Sequence, residues 1–144
     1  MKEMKNHVKS ILWAVITITG IFYAIAIYMA YWPANVITLR ALEIQNANIT
    51  PGGVLYFRVS YEKNLPIAAT VVRQIINKNI MTYPPINSNL MTGRGEFVGF
   101  LDLPAAMSPG PHRMRLSLIY QVNPFRTVVY STESPEFIIA ERRK

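Results

Sequence analysis

The stretch "HRMRLSLIYQ", His112 to Gln121, alternates without a slip. Met114, Leu116, Leu118 and Tyr120 fall on one side of an extended chain, and Arg113, Arg115 and Ser117 on the other. Successive side chains of a strand point to opposite faces, so this stretch predicts a strand with one face in a core and the other in water. Working outward, "VLYFRVSYEK" (Val54 to Lys63) repeats the pattern. There Leu55, Phe57, Val59 and Tyr61 alternate with Tyr56, Arg58 and Ser60. "GEFVGFLDLP" (Gly95 to Pro104) sets Phe97, Leu101 and Leu103 on one side, with a gap at Gly99.

"VITLRALEIQ" (Val36 to Gln45), the branched run "ATVVRQII" (Ala69 to Ile76), "TVVYS" (Thr127 to Ser131) and "PEFIIA" (Pro135 to Ala140) read as further strands. "NITPGG", "AAMSPGP" and "VNPFR" supply turns between them. Asn77 to Asn89 holds too much Pro and Asn for a long element, and predicts at most a short edge strand near Ile80 to Tyr83. No helical periodicity of useful length follows Trp32. About seven strands in about 105 residues, with turn signals every 8–12, describe an antiparallel sandwich.

"ITPGGVLYFRVSY", "LPAAMSPGPHRMRLSLIY" and "SPEFII" together resemble the immunoglobulin-like and fibronectin-III-like modules that bacterial and phage envelope proteins carry on single-pass anchors. The resemblance covers residues 36–140. It implies an all-β, immunoglobulin-like antiparallel β-sandwich preceded by one N-terminal transmembrane helix. In related modules a tyrosine of the sixth strand bonds back to the corner before it; here the in-phase position holds His112. The Cys, Trp, Cys signature of antibody domains is absent.

The anchor is "ILWAVITITGIFYAIAIYMAYWP", Ile11 to Pro33, whose first 22 residues carry no charge. As a helix they rise about 33 Å, enough for a hydrocarbon layer of about 30 Å. A soluble core helix would show a polar face, and here only Thr17 and Thr19 bear aliphatic hydroxyls, which can bond back to their own helix. Trp13 suits one membrane interface and Tyr28, Tyr31 and Trp32 the other. Pro33 stops the helix. The "AIA" of Ala24 to Ala26 would suit a signal peptidase, but cutting there leaves the apolar remnant "IYMAYWP", so the long run argues for retention. Lys2, Lys5 and Lys9 on the short side, against Arg40 alone near the far end, place the amino terminus in the cytoplasm. The expected arrangement is a basic tail over 1–10, a signal-anchor helix over 11–33, a β domain over 34–140 and a basic tail over 141–144. The location is the inner (cytoplasmic) membrane, with the domain periplasmic or otherwise extracytoplasmic. Gly20 and Ala24 form a small-xxx-small pair through which two anchors could dimerise.

The formal charge of +7 in 144 residues invites a nucleic-acid reading. Four of those charges sit in the two tails, the interior is nearly balanced, and no nucleic-acid partner is expected. The absence of cysteine removes disulfides, thiolate metal sites and acylated cysteine together. Titratable groups beyond the anchor are few: His112, Asp102 and six glutamates. A triad of Ser117 or Ser108 with His112 and Asp102 lacks a nucleophile elbow, so no enzyme is expected. His112 reads instead as a corner residue bonded to a nearby carbonyl. One imidazole and scattered carboxylates hold no metal, and "GRGEFVG" (Gly93 to Gly99) lacks the lysine and helix of a phosphate loop, so no cofactor is expected.

Arg58, Arg73, Arg113 and Arg115 are candidates for a basic outward stripe able to grip anionic headgroups or an acidic partner; the plainer reading is solvated faces that resist edge aggregation. Ile86 in the proline-rich segment Tyr83 to Asn89 and Phe125 in "VNPFR" are candidate contacts. Asn48 of "NIT" is formally a glycosylation acceptor. The expected function is a membrane-tethered extracytoplasmic binding or adaptor module. Its partners would be the bilayer and another envelope or membrane protein; the alternatives are an accessory subunit of a larger membrane complex or a phage-encoded envelope protein of that kind.

Overall fold

A computed structural model of the chain describes residues 2–32, 35–46 and 49–141, with side chains from Val8 onward. Pro33, Asn48 and the last three residues of the basic tail lie outside the described residues, as do the side chains of Lys2 and Lys5. The helix and the segment Asn123–Arg126 form one compact unit, and the remaining β structure forms the other.

Helix α1 spans Lys2–Tyr31. It therefore takes in most of the tail expected over 1–10: nothing among Lys2 to Ser10 breaks a helix, and backbone bonding once nucleated runs through it. The apolar part, Val8–Tyr31, is 24 residues, or about 36 Å, and is long and apolar enough to cross a membrane. Thr17 and Thr19 donate their hydroxyls to the Trp13 and Val15 carbonyls (2.9 and 2.8 Å), so neither leaves a polar group on the helix surface. Tyr28 and Trp32 stack one turn apart, centroids 5.5 Å.

The β unit is antiparallel throughout its named strands. One sheet runs in the order β1 (Ile37–Ile44), β2 (Val54–Lys63), β6 (Gly93–Asp102). The other is built on β3 (Ala69–Ile76) paired with β7 (Gly110–Asn123). Two short strands, β4 (Ile80–Thr82) and β5 (Ile86–Ser88), follow one another along the outer edge of β3. On the far side β8 (Arg126–Glu133) and β9 (Phe137–Ile139) do the same along β7. Each broken edge is interrupted at proline, Pro84–Pro85 in one and Pro135 in the other, where no N–H is available for a ladder.

Among the described residues nine strands stand where seven and a short edge strand near Ile80 were expected. The additional one is β5, whose "INS" follows two prolines, and β3 supplies the partner that its own sequence does not advertise. The alternations themselves are found: Leu55, Phe57, Val59 and Tyr61 of β2 and Met114, Leu116, Leu118 and Tyr120 of β7 are all buried. The inner faces of both sheets share one core, whose buried members run from Val36 to Ile139. Ile49 joins that core through a parallel bridge to Ile139, secured by the Ala140 N–H donating to the Ile49 carbonyl (2.8 Å). The turn that follows needs Gly52 at φ 78°, a conformation that favours glycine.

Candidate functional site

The expected arginine stripe is not one surface. Arg113 and Arg115 share the outward face of β7. Arg115 donates from both Nε and Nη2 to Glu133 Oε1 (2.8 and 2.6 Å), and Arg113 lies 3.9 Å from Glu136. Arg73 stands opposite Leu116 in the β3–β7 register, which puts it in phase with buried Val71 and Ile75, and its guanidinium escapes to the Pro84 carbonyl (3.0 Å). Arg58 belongs to the other sheet, opposite Glu43 and Val98, with Glu96 at 3.7 Å. The structure therefore brings only Arg113 and Arg115 together. Sequence alternation alone could not assign Arg73, because β3 is branched on both faces.

Ile86 is in β5 and is partly exposed, while Phe125 at the tip between β7 and β8 is 83% exposed. The tip is held by an Asn123 side-chain oxygen that accepts the Phe125 N–H (3.0 Å). Along α1, Trp13, Tyr28, Tyr31 and Trp32 are exposed, with Trp13 about 22–28 Å along the axis from the other three. A methyl group at Gly20 would meet nothing within 4 Å, so the Gly20 and Ala24 face is open.

His112 occupies the corner role expected of it. It is buried, its Nδ1 lies 2.9 Å from the Gly110 carbonyl and its Nε2 3.2 Å from Asn77 Nδ2. Nδ1–H donates to the carbonyl and Nε2 accepts from the amide, so both ring nitrogens have a partner. Its ring also stacks on Phe137 at 6.1 Å. These nitrogens are bonded to Asn77 and Gly110 and not to a serine or Asp102, and the Ser117 hydroxyl bonds Ser131 (2.8 Å). A cavity of about 220 Å³ adjoins His112 and is lined as well by Asn77, Lys78, Asn79 and Ser108; of these, Asn77 and His112 bond each other. Among the described residues no three His, Cys, Asp or Glu side chains gather as metal ligands.

Two features escaped the sequence reading. Lys63 continues the inward phase of Leu55 to Tyr61 and is 1% exposed. Its ammonium donates to the Leu90 carbonyl (2.7 Å), and burial pushes it below the usual lysine range. The signal was its in-phase position, which polarity concealed. The second feature is the outer face of the β1-β2-β6 sheet, where Tyr56 stands directly opposite Phe100 and beside Val98, all three exposed. On the same face Glu62 gathers Arg40 and Arg94, whose hydrogen bond and charge hold its carboxyl below the ordinary carboxylate range.

No family model and no curated protein matches the chain. Among solved structures, Spo0M, a sporulation control protein from Bacillus subtilis, matches at TM-score 0.45 and 11% identity, covering 76% of this chain and 51% of that one. A β-glucosidase from Listeria innocua in complex with glucose matches at TM-score 0.36 and 12% identity, covering 72% and 16%. The chain spans about half the length of the first and about a sixth of the second. At these scores neither neighbour bears on what the chain does.

Proposed function

We propose that the chain is a membrane-tethered binding or adaptor module, in which an immunoglobulin-like sandwich is held at the outer surface of the cytoplasmic membrane and contacts another envelope protein. One observation carries the reading. Val8–Tyr31 is a predominantly apolar helix with no buried residue, while every buried hydrophobic residue among those described lies between Val36 and Ile139. An apolar surface of that length needs a cover, and lipid is the cover whose thickness fits it.

The basic residues Lys2, Lys5 and Lys9 orient the helix with its amino terminus in the cytoplasm. Tethering confines the domain to a thin layer and raises its effective concentration toward partners in the same membrane. Phe125, Ile86 and the Arg113 and Arg115 face are the contacts we assign to such a partner, and the open Gly20 and Ala24 face would serve an anchor dimer. The reading assigns the chain no catalysis, cofactor or nucleic acid.

Two measurements test it together. A reporter fused after Lys144 should be active only outside the cytoplasm of a bacterial host. A photo-crosslinking residue at Phe125 or Ile86 should capture one discrete membrane protein in intact cells. A cytosolic reporter, or a mature chain beginning near Ile27, overturns the tethering; a correct topology with no captured protein overturns the adaptor role.

A further inference from the structure

We propose that two copies of the chain join edge to edge through β6, antiparallel and centred on Val98. β6 ends its sheet, with β2 on one side. Which of its backbone groups remain unused follows from two hydrogen bonds. The Leu103 N–H donates to the Gly53 carbonyl (2.8 Å), so in this register odd-numbered residues turn their backbone groups toward β2 and even-numbered ones turn away. The Asp102 carbonyl agrees, since it accepts the Tyr83 hydroxyl (3.0 Å) rather than a β2 amide, with its second lone pair left for an added strand. Arg94, Glu96, Val98 and Phe100 thus present the donors and acceptors of the free edge.

The side chains of these residues lie on the outer face. Val98 and Phe100 are 59% and 62% exposed, and Tyr56 extends the apolar strip from the neighbouring strand. An unpaired edge beside exposed apolar side chains is a template for strand addition. Charge then selects the strand that adds. Centred on Val98, an antiparallel second copy sets Arg94 opposite Asp102 of that copy, and symmetry repeats the pair at the other end. Sliding to the next register with matched edge groups puts Glu96 opposite Asp102, a like-charge pair. Sliding the other way puts Arg94 opposite Phe100 and loses both ion pairs. Arg94 is free to swing toward the second copy, because it lies 3.4 Å from Glu62 on an exposed face and Glu62 would keep Arg40. A second copy is therefore the occupant that the edge's own charges fit, whether or not the domain also binds another envelope protein.

The chain has no cysteine, so introduced ones report without background. Opposed residues of a hydrogen-bonded antiparallel pair have Cα atoms about 5.5 Å apart, within disulfide reach. In the full-length protein in membranes, oxidised Val98→Cys should run mainly as a covalent dimer, and so should the double variant Glu96→Cys with Phe100→Cys. Glu96→Cys alone should stay monomeric, because in this register the two copies of residue 96 lie about 14 Å apart along the strands. Adding Arg94→Asp to Val98→Cys should slow crosslinking on the order of tenfold. Adding Asp102→Arg as well should restore it. A monomeric Val98→Cys overturns the proposal, and so does Glu96→Cys linking as fast as Val98→Cys, which marks collisions without register.

Discussion

The ring of Phe57 fills the space that a side chain at Gly99 would occupy. The two residues are directly opposed between β2 and β6, and a methyl group on Gly99 would come within 2.5 Å of Phe57 Cζ. Further along the same pair of strands, Tyr61 covers Gly95 in the same manner, its hydroxyl 2.7 Å from such a methyl. A glycine that is weak in a strand is here the seat of an aromatic ring. Gly99→Ala should lower stability by about 1–3 kcal/mol, the range for overpacking a filled site. Denaturant unfolding checks this. In a Phe57→Ala background Gly99→Ala should no longer destabilise; an unchanged loss would mean that the ring is not what it strikes.

Tyr120 gives an alkaline signature. It is fully buried, its hydroxyl has no hydrogen-bond partner among the described residues, and burial, with smaller contributions from Tyr130 and Tyr61, pushes it up to about 12. Between pH 10 and 12 the unfolded chain releases this proton and the folded chain keeps it, so stability falls with rising pH across that window. The loss amounts to at most about 3 kcal/mol. Tyr120→Phe should flatten the slope between pH 10 and 12 and leave stability at pH 7 equal or higher, because it deletes an unpaired polar group. An unchanged slope in the variant refutes the assignment.

Lys63 works in the opposite direction. Its folded-state value lies below 10.5, so from that value up to 10.5 the unfolded chain binds more protons and stability rises with pH. The stability of the wild type relative to Lys63→Met should therefore improve as pH climbs from neutrality toward 10.5. A difference that stays flat over this range would show the ammonium to be hydrated when folded.

His112→Ala should cost about 2–4 kcal/mol, since it deletes a buried ring bonded at both nitrogens and stacked on Phe137. Thermal unfolding reads this directly, and a shift within about 0.5 kcal/mol would make His112 a candidate functional group again.

The strands that could be read in advance are those in which one face is apolar and the other is not, such as β2 and β7. Periodicity there records a single physical fact, burial on one side. Ile86 to Ser88 carries no such record, because a three-residue strand on an edge is made by its neighbour and not by its own composition. Arg73 misled for a related reason: the inward phase of β3 ends at a sheet border, where a guanidinium can leave the core and find the Pro84 carbonyl. Lys63 shows the same physics at the end of β2. The outer-face pair Tyr56 and Phe100 was hidden because each residue alone sits in a polar phase, and only the register places them together.

The bridge from Ile49 to Ile139 sets the order in which the chain can be completed. Its halves are separated by some ninety residues, and the first residues of β7, Gly110 to His112, gain their β9 partners only when Phe137–Ile139 arrives. Such a closure forms late, after the intervening loops have been gathered. A chain emerging across a membrane would stay open on this side until Phe137–Ile139 were through, and one stopped before Phe137 should remain soft to proteases at both Ile49 and His112.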